Sequence, residues 1–291
     1  MGIRMRSVLV MGILGFLAIA VIGFASYRLS IKNAMNEAKI KSEIIMSYAM
    51  ASREFTRVAQ SPLVRQLVEE DRFYPELMSG FATSRGIYEE FAKLYPSYIF
   101  KQATLDPLHP SNKADAQEVQ IIQKFIDNPG LKSDEGRLTR DGQDVFYIAT
   151  PFAVKHKNCL SCHGDPADAP KDQIDIYGDT NGYWWKMDEV VAAFIVYVPI
   201  AEAIAAAKTI SLALALIGAG GIAIMLFIIG WFLNRDVVAP IVRLAERTEN
   251  FSLGKNLDEP IDRNAVGEVG TLAQAIERLR VSLKKLLQRS R

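Results

Sequence analysis

The chain has 291 residues, 34 lysines and arginines against 33 aspartates and glutamates, and a formal net charge of +1. That balance excludes a strongly basic domain, so no nucleic-acid partner is expected. Its apolar residues are bunched rather than spread, and its 2 cysteines, Cys159 and Cys162, leave no sulfur for a disulfide framework elsewhere.

Two stretches carry no charged side chain: residues 7–27, between Arg6 and Arg28, and Ile210 to Leu233, between Lys208 and Arg235. Each reaches the roughly 20 apolar residues with which a helix crosses hydrocarbon, so transmembrane helices are expected at 7–27 and 209–233. Gly23-Phe24-Ala25 resembles a leader cleavage site, but the first run exceeds the roughly 7–15 residues of a signal core, which favours an uncleaved anchor. Arg4 and Arg6 precede the first span, and Arg235, Arg243 and Arg247 follow the second. Basic flanks stay inside, so the expected topology is a two-pass membrane protein with both tails in the cytoplasm. It has a cytoplasmic tail at 1–6, an outer domain at 28–208 and a cytoplasmic C-terminal region at 234–291. In the second span Ser211, Ala215, Ala219 and Ala223 recur every four residues, either a small-residue stripe of the kind that lets membrane helices approach closely or the ordinary enrichment of alanine and glycine in a span.

From Ile31 to about Glu70 helix formers dominate, so the first span is expected to continue outward as a long helix. A second helix runs through Ile87, Phe91 and Leu94 and stops before Pro96. Tyr98 to Ala103 suits a strand. Ala114 to Asp127 suits a helix with Val119, Ile122 and Phe125 on one side, closed by Pro129-Gly130. Arg137 to Arg140 and Gln143 to Val154 flank Asp141-Gly142, the dipeptide of a tight hairpin. Val190 to Val198 is a β-branched and aromatic run ending at Pro199, and it feeds a helix from Ala201 to Lys208. The layout is that of a PAS-like or Cache-like sensory domain.

On the loop after the long strand stands Cys159-Leu160-Ser161-Cys162-His163. A C-x-x-C-H pentad suits covalent attachment of haem c: two thiols add across the porphyrin vinyls, and the adjoining His163 reaches the iron. A thioredoxin-type dithiol shares the C-x-x-C but does not need the histidine. A zinc site needs further ligands, and His109 and His156 supply no obvious pair. A chance pair of core cysteines fits poorly with the polar surroundings Lys155 to Asn158.

Tyr95-Pro96-Ser97-Tyr98-Ile99-Phe100-Lys101-Gln102-Ala103-Thr104-Leu105-Asp106-Pro107 with Pro110-Ser111-Asn112 resembles the PAS-like single-haem c-type sensor domain family. So do Asn158 to Pro166 with Ala169-Pro170, then Tyr177-Gly178, Asn181-Gly182-Tyr183, and Glu189-Val190-Val191 through Val198-Pro199. The resemblance implies one covalent haem in a domain outside the membrane, followed by signalling modules. One departure is Trp184, where the pattern leads one to expect glycine before Trp185-Lys186; an indole there would narrow or shield the pocket.

His163 is the expected proximal ligand. The distal position decides between gas binding and electron transfer. Met46 and Met50, one turn apart on the long helix, are candidates, as are His109, another residue, water or nothing; His156 sits too near the attachment edge. Arg53 and Lys101 are candidate partners for the haem propionates. Tyr95, Tyr98, Phe100, Tyr147, Tyr183 and Trp185 would wall the pocket.

After Pro240, Ile241, Leu244, Thr248 and Phe251 alternate by three and four. A connector with Gly254, Leu257 and Ile261 follows, then Val269, Leu272, Ile276, Leu279, Leu283 and Leu286 keep the seam. Two short helices so joined, with Pro240 and Gly267-Glu268-Val269-Gly270, resemble a HAMP linker. A single amphipathic helix lying on the membrane is the competing reading. The HAMP resemblance implies a homodimer through parallel helices. No kinase or cyclase follows it, so a separate cytoplasmic output protein, or an effector missing from the chain, is expected.

The fold class expected is therefore an α+β membrane protein: two transmembrane helices, a PAS-like periplasmic haem domain and a C-terminal HAMP coiled-coil module. The function expected is a non-enzymatic sensor that relays redox state or a small gas ligand through the second span. The alternative is a membrane-anchored single-haem electron carrier, which leaves the heptad linker without a purpose. A peroxidase comes last, because no distal acid–base pair is legible.

Overall fold

The computed structural model describes residues 3–69, 72–261 and 267–289; the expected boundaries at positions 1, 70 and 291, and the Arg4 side chain, lie outside the described residues. The chain divides into two units, Arg28–Ala207 and the pair of segments Met1–Tyr27 and Lys208–Arg291.

Helix α1 (Ile3–Phe55) passes without a break from the first apolar stretch into the polar residues beyond it. A π-helical stretch, Thr56–Gln60, joins it to α2 (Ser61–Leu67), whose second residue is Pro62. Proline lacks the N–H for the preceding turn and crowds the carbonyl four residues back, and a widened turn absorbs both effects. The same device recurs after α8 (Ala201–Leu233), where the π stretch Asn234–Val238 precedes Pro240 and α9 (Ala239–Ser252).

In the Arg28–Ala207 unit, α3 (Pro75–Met78) and α4 (Gly80–Leu94) lead into an antiparallel four-stranded sheet of order β1-β4-β3-β2. Its strands are β1 (Ile99–Thr104), β2 (Asp134–Arg140), β3 (Gln143–Ala153) and β4 (Val190–Pro199). β4 is central, pairing Phe194 with both Gln102 and Thr150, and almost all its residues are buried, hence the unbroken apolar run. The β2–β3 turn has Asp141 at φ 49° and Gly142 at φ 77°, the two positive angles a two-residue hairpin of this twist requires.

Alternation along the strands separates two cores. Phe100, Phe146, Ile148, Phe194, Val196 and Val198 face Ala38 and Met46 of α1. Ala103, Val145, Tyr147, Ala149, Ala193, Ile195 and Tyr197 face α5 (Ala116–Asp127). The stripe expected on α5 is rotated. Glu118, Ile121, Ile122 and Phe125 are buried, whereas Val119 is 39% exposed. The cause is Glu118 itself, which lies at the centre of the buried face and accepts hydrogen bonds from Lys101, Arg140 and Tyr197.

In the other unit, α1 and α8 are, among the described residues, the two helices long and apolar enough to cross a membrane. They approach where a Cβ on Gly15 would stand 2.9 Å from Ile222 and one on Gly218 3.6 Å from Ile19. The expected small-residue stripe is split by this packing: Ser211 is buried and Ala215 half-buried, but Ala219 and Ala223 are exposed. Helical periodicity of 3.6 carries a strict four-residue repeat off the contact face. After α9, the core of Leu244, Phe251, Ile261 and Ala273 joins α9, its connector and α10 (Gly267–Arg289). Arg280 pairs with Glu277 at 2.6 Å and donates to the Leu257 carbonyl, and Glu277 accepts from the Ile261 N–H at 3.1 Å, so the connector is strapped to α10.

Candidate functional site

The pentad lies at the exit of β3. Lys157–Cys159 forms a 3-10 turn and Leu160–His163 a single helical turn, α6. This short turn is held from behind by three neighbours. Gln173, on α7 (Lys171–Tyr177), donates from Nε2 to the Cys162 carbonyl at 2.6 Å. The Trp185 N–H donates to the His163 carbonyl at 3.0 Å, and the Trp184 N–H to that of Gly164 at 2.8 Å.

His163 is oriented on both sides. Its Nδ1 lies 2.7 Å from the Gly182 carbonyl, which only accepts, so Nδ1 carries the proton and Nε2 is a free lone pair. Its ring stacks on Trp185 with centroids 3.8 Å apart and planes 2° from parallel. Burial pushes the imidazole pKa down to about 4, against the pull of the Gly182 bond, and Arg53 lowers it further. A neutral imidazole whose far nitrogen is tied to a carbonyl is the form that binds metals. Gly182 itself is held by Asp106, which accepts its N–H at 2.7 Å. It has φ 79°, and a Cβ there would stand 2.6 Å from the Leu108 side chain and 2.9 Å from its backbone, so only glycine fits.

Cys159, Cys162 and His163 line a cavity of about 540 Å³. That volume is within the roughly 300–1,000 Å³ of small-molecule and cofactor sites. The two thiols are not bonded to each other. Burial pushes the Cys162 thiol up, opposed by Ser161 and Arg65. Among the described residues no group of three or more His, Cys, Asp or Glu side chains converges as a metal cluster, so the zinc reading finds no ligand set.

The walls are apolar and cationic. Phe73, Phe81, Phe152 and Trp185 supply aromatic surface; Arg53, Arg57, Arg65, Arg85 and Lys157 supply charge. Glu54 is the acid among the described lining residues, and it is paired with Arg57 at 2.5 Å. Arg53 is distinctive. Its guanidinium carbon lies 4.4 Å from the centroids of both Phe81 and Phe152, and its Nε is buried with no hydrogen-bond partner. Burial lowers its pKa to about 10, which leaves it charged at neutral pH. Gly80 makes room for it, since a Cβ there would stand 2.6 Å from Arg53 Cγ.

Of the residues expected at the site, Cys159, Cys162, His163, Arg53, His109 and Trp185 line this one cavity. Lys101 does not. It points to the opposite face of the sheet and pairs with Glu118 at 2.7 Å, because strand alternation puts it with Ala103 rather than with Phe100. Met46 and Met50 do not line the cavity either. Met46 is buried in the core between α1 and the sheet, where its sulfur lies 3.7 Å from Thr150 Oγ1, and Met50 packs on the same cluster. His109 accepts from the Ser111 N–H at Nδ1, 3.3 Å, which in the neutral ring makes Nε2 a donor rather than a ligand. Of the expected aromatic wall, Trp185 alone lines the cavity: Tyr147 is on the α5 face, Phe100 is in the α1 core and Tyr95 is 54% exposed. Trp184 does not enter it; the residue is 63% exposed at φ 62°. Phe81, Phe152, Gln173 and the three further arginines were not legible as site residues. Phe152 alone had a signal, since it shares the strand face of Phe146 and Ile148.

Residues 31–199, which contain these side chains, match the model of the Tll0287-like family, described as Tll0287. Residues 232–285 match the HAMP domain. No curated protein matches. Among solved structures, one titled "Crystal structure of the cyanobacterial heme-protein Tll0287" is similar at 17% identity and a TM-score of 0.43, covering 56% of this chain and 95% of that one.

Proposed function

Since this chain belongs to the Tll0287-like family and carries a HAMP domain behind that region, we propose that it is a membrane-spanning haem sensor rather than an enzyme. In this reading residues 28–208 form a periplasmic domain with one haem c, 7–27 and 209–233 cross the inner membrane, and 1–6 and 234–291 are cytoplasmic. The observation that carries it is His163: neutral, stacked on Trp185, with Nδ1 spent on Gly182 and Nε2 free, one residue from Cys162 on the wall of a cofactor-sized cavity.

Cys159 and Cys162 would tether the porphyrin through thioethers, His163 would hold the iron, and Arg53, whose Nε meets no partner in the protein, would meet a propionate. A haem so held supplies a one-electron redox centre or a gas-binding iron. The chain's own part is to keep His163 in one tautomer, to exclude water with Phe81, Phe152 and Trp185, and to supply cationic charge. Redox change or a small gas then alters the packing behind β4, and Pro199 and α8 carry it to the HAMP helices. That relay works when the linker has two packings within a few kcal/mol. Two copies pair through the HAMP helices and address a cytoplasmic output protein or domain.

The test is spectroscopic. Protein made in a host with cytochrome c maturation should be coloured, keep its haem on a denaturing gel and resist acid-acetone extraction. Carbon monoxide or nitric oxide should shift the reduced spectrum if a gas is the signal. A colourless product overturns the reading; unchanged HAMP-helix crosslinking between oxidised and reduced protein would leave electron carriage instead.

A further inference from the structure

The outer half of α1 has two patterned faces. Ala38, Ser42, Met46 and Ala49 are buried against the sheet. On the opposite side Ile44, Tyr48, Ala51 and Phe55 follow one another in steps of four, three and four. Ile44, Tyr48 and Phe55 are 63%, 65% and 62% exposed. A solvated helix face normally carries charge there. Four of the neighbouring charges are paired with one another: Glu37 with Lys41 at 2.7 Å and Glu54 with Arg57 at 2.5 Å.

We propose that this stripe is the outer-domain contact between two copies of the chain, packed in parallel. Three observations select a second copy as the occupant. The four-three spacing is that of helices burying a seam against another helix. α1 continues into an apolar segment long enough to cross a membrane, so two copies in one bilayer present their stripes in the same direction, as an in-register like pair requires. The third is the HAMP region, where Leu272, Leu279 and Leu286 of α10 are 45%, 62% and 64% exposed at the same heptad spacing. Copies joined there hold the α1 stripes at high effective concentration. The tether matters, since residues 44–55 span only about 17 Å, under two heptads and fewer than a free-standing coiled coil sustains. This inference rests on the dimeric membrane reading above, and its test separates the two.

In full-length, haem-loaded protein in its own membrane, native Cys159 and Cys162 are occupied, so introduced cysteines report alone. Ile44→Cys and Ala51→Cys should each form about tenfold more disulfide-linked dimer than Glu43→Cys, which is exposed but off the stripe. Adding Tyr48→Lys and Phe55→Lys to Ala51→Cys should abolish most of that dimer while haem staining persists, showing that the domain still folds. Leu279→Cys, linked with a bismaleimide, reports the HAMP pair separately. Equal linking at Glu43 and Ile44 overturns the stripe. Linking at Leu279 without linking on α1 overturns it and leaves the HAMP pair standing; no linking at either place overturns both.

Discussion

The two faces of the sheet treat buried charge in opposite ways. On the α5 face the Glu118 carboxylate is fully buried and accepts from Lys101, Arg140, Tyr197 and the Asp115 N–H. On the α1 side Arg53 lies over phenyl rings beside a cavity, with Nε buried and unmet, and Gln173 Oε1 is unmet as well. A buried charge whose partners all come from the chain holds the fold together. One left without partners at a cavity wall marks where the chain receives something it does not itself contain.

If that contrast is right, substitutions on the two sides should separate cleanly. The largest effect is expected from Cys159→Ser with Cys162→Ser: covalent pigment disappears from denaturing gels, while the fold, judged by circular dichroism, survives. Glu118→Ala strands Lys101, Arg140 and Tyr197, and denaturant titration of the full-length protein should show a loss of about 3–5 kcal/mol. Arg53→Met has no ion pair to break. Haem-free protein should keep its stability to within about 1 kcal/mol, whereas the loaded protein's midpoint potential should fall by about 50 mV once a cation near the iron is gone. A loss for Arg53→Met as large as that for Glu118→Ala would erase the contrast.

Asp115 caps α5 by accepting from the Gln117 and Glu118 N–H groups, so Asp115→Ala should cost about 1 kcal/mol. Burial alone would raise its pKa, but the Glu118 N–H and then Arg140 outweigh it, and the carboxyl titrates below its ordinary 3.8. The native pKa is therefore depressed. The stabilisation is present above pH 3.8 and fades as pH falls through the native value, so wild type and Asp115→Ala should converge in acid. Smallest of all, Trp184→Gly relieves a left-handed backbone at an exposed residue. It should gain up to about 1 kcal/mol and leave the haem spectrum unchanged; a spectral shift would put the indole at the pocket after all.

Much of the architecture was legible because its causes are local. Asp141-Gly142 announces a hairpin by backbone angle, Pro96 and Pro129-Gly130 end helices, and the unbroken run of β4 marks a central strand. The candidate site was legible only where a fixed spacing suggests chemistry, in Cys159, Cys162 and His163. Lys101 and Met46 misled because a side chain's type does not reveal which face of a sheet or helix it occupies. On α5, Val119 was expected inside because an apolar residue outranks an acid by hydropathy; Glu118 reversed that order through partners more than fifteen positions away.

From the residues alone came two apolar helices, an α+β region between them, a heptad-bearing tail and one thiol–histidine pentad, since each is written in short-range pattern. Tertiary structure decided the rest: that Gly182 turns the His163 ring and sets its proton, that Arg53 reaches the cavity while Lys101 is taken by Glu118, and that Ile44, Tyr48 and Phe55 remain uncovered. Those outcomes depend on contacts between residues far apart in the chain, and no local periodicity encodes them.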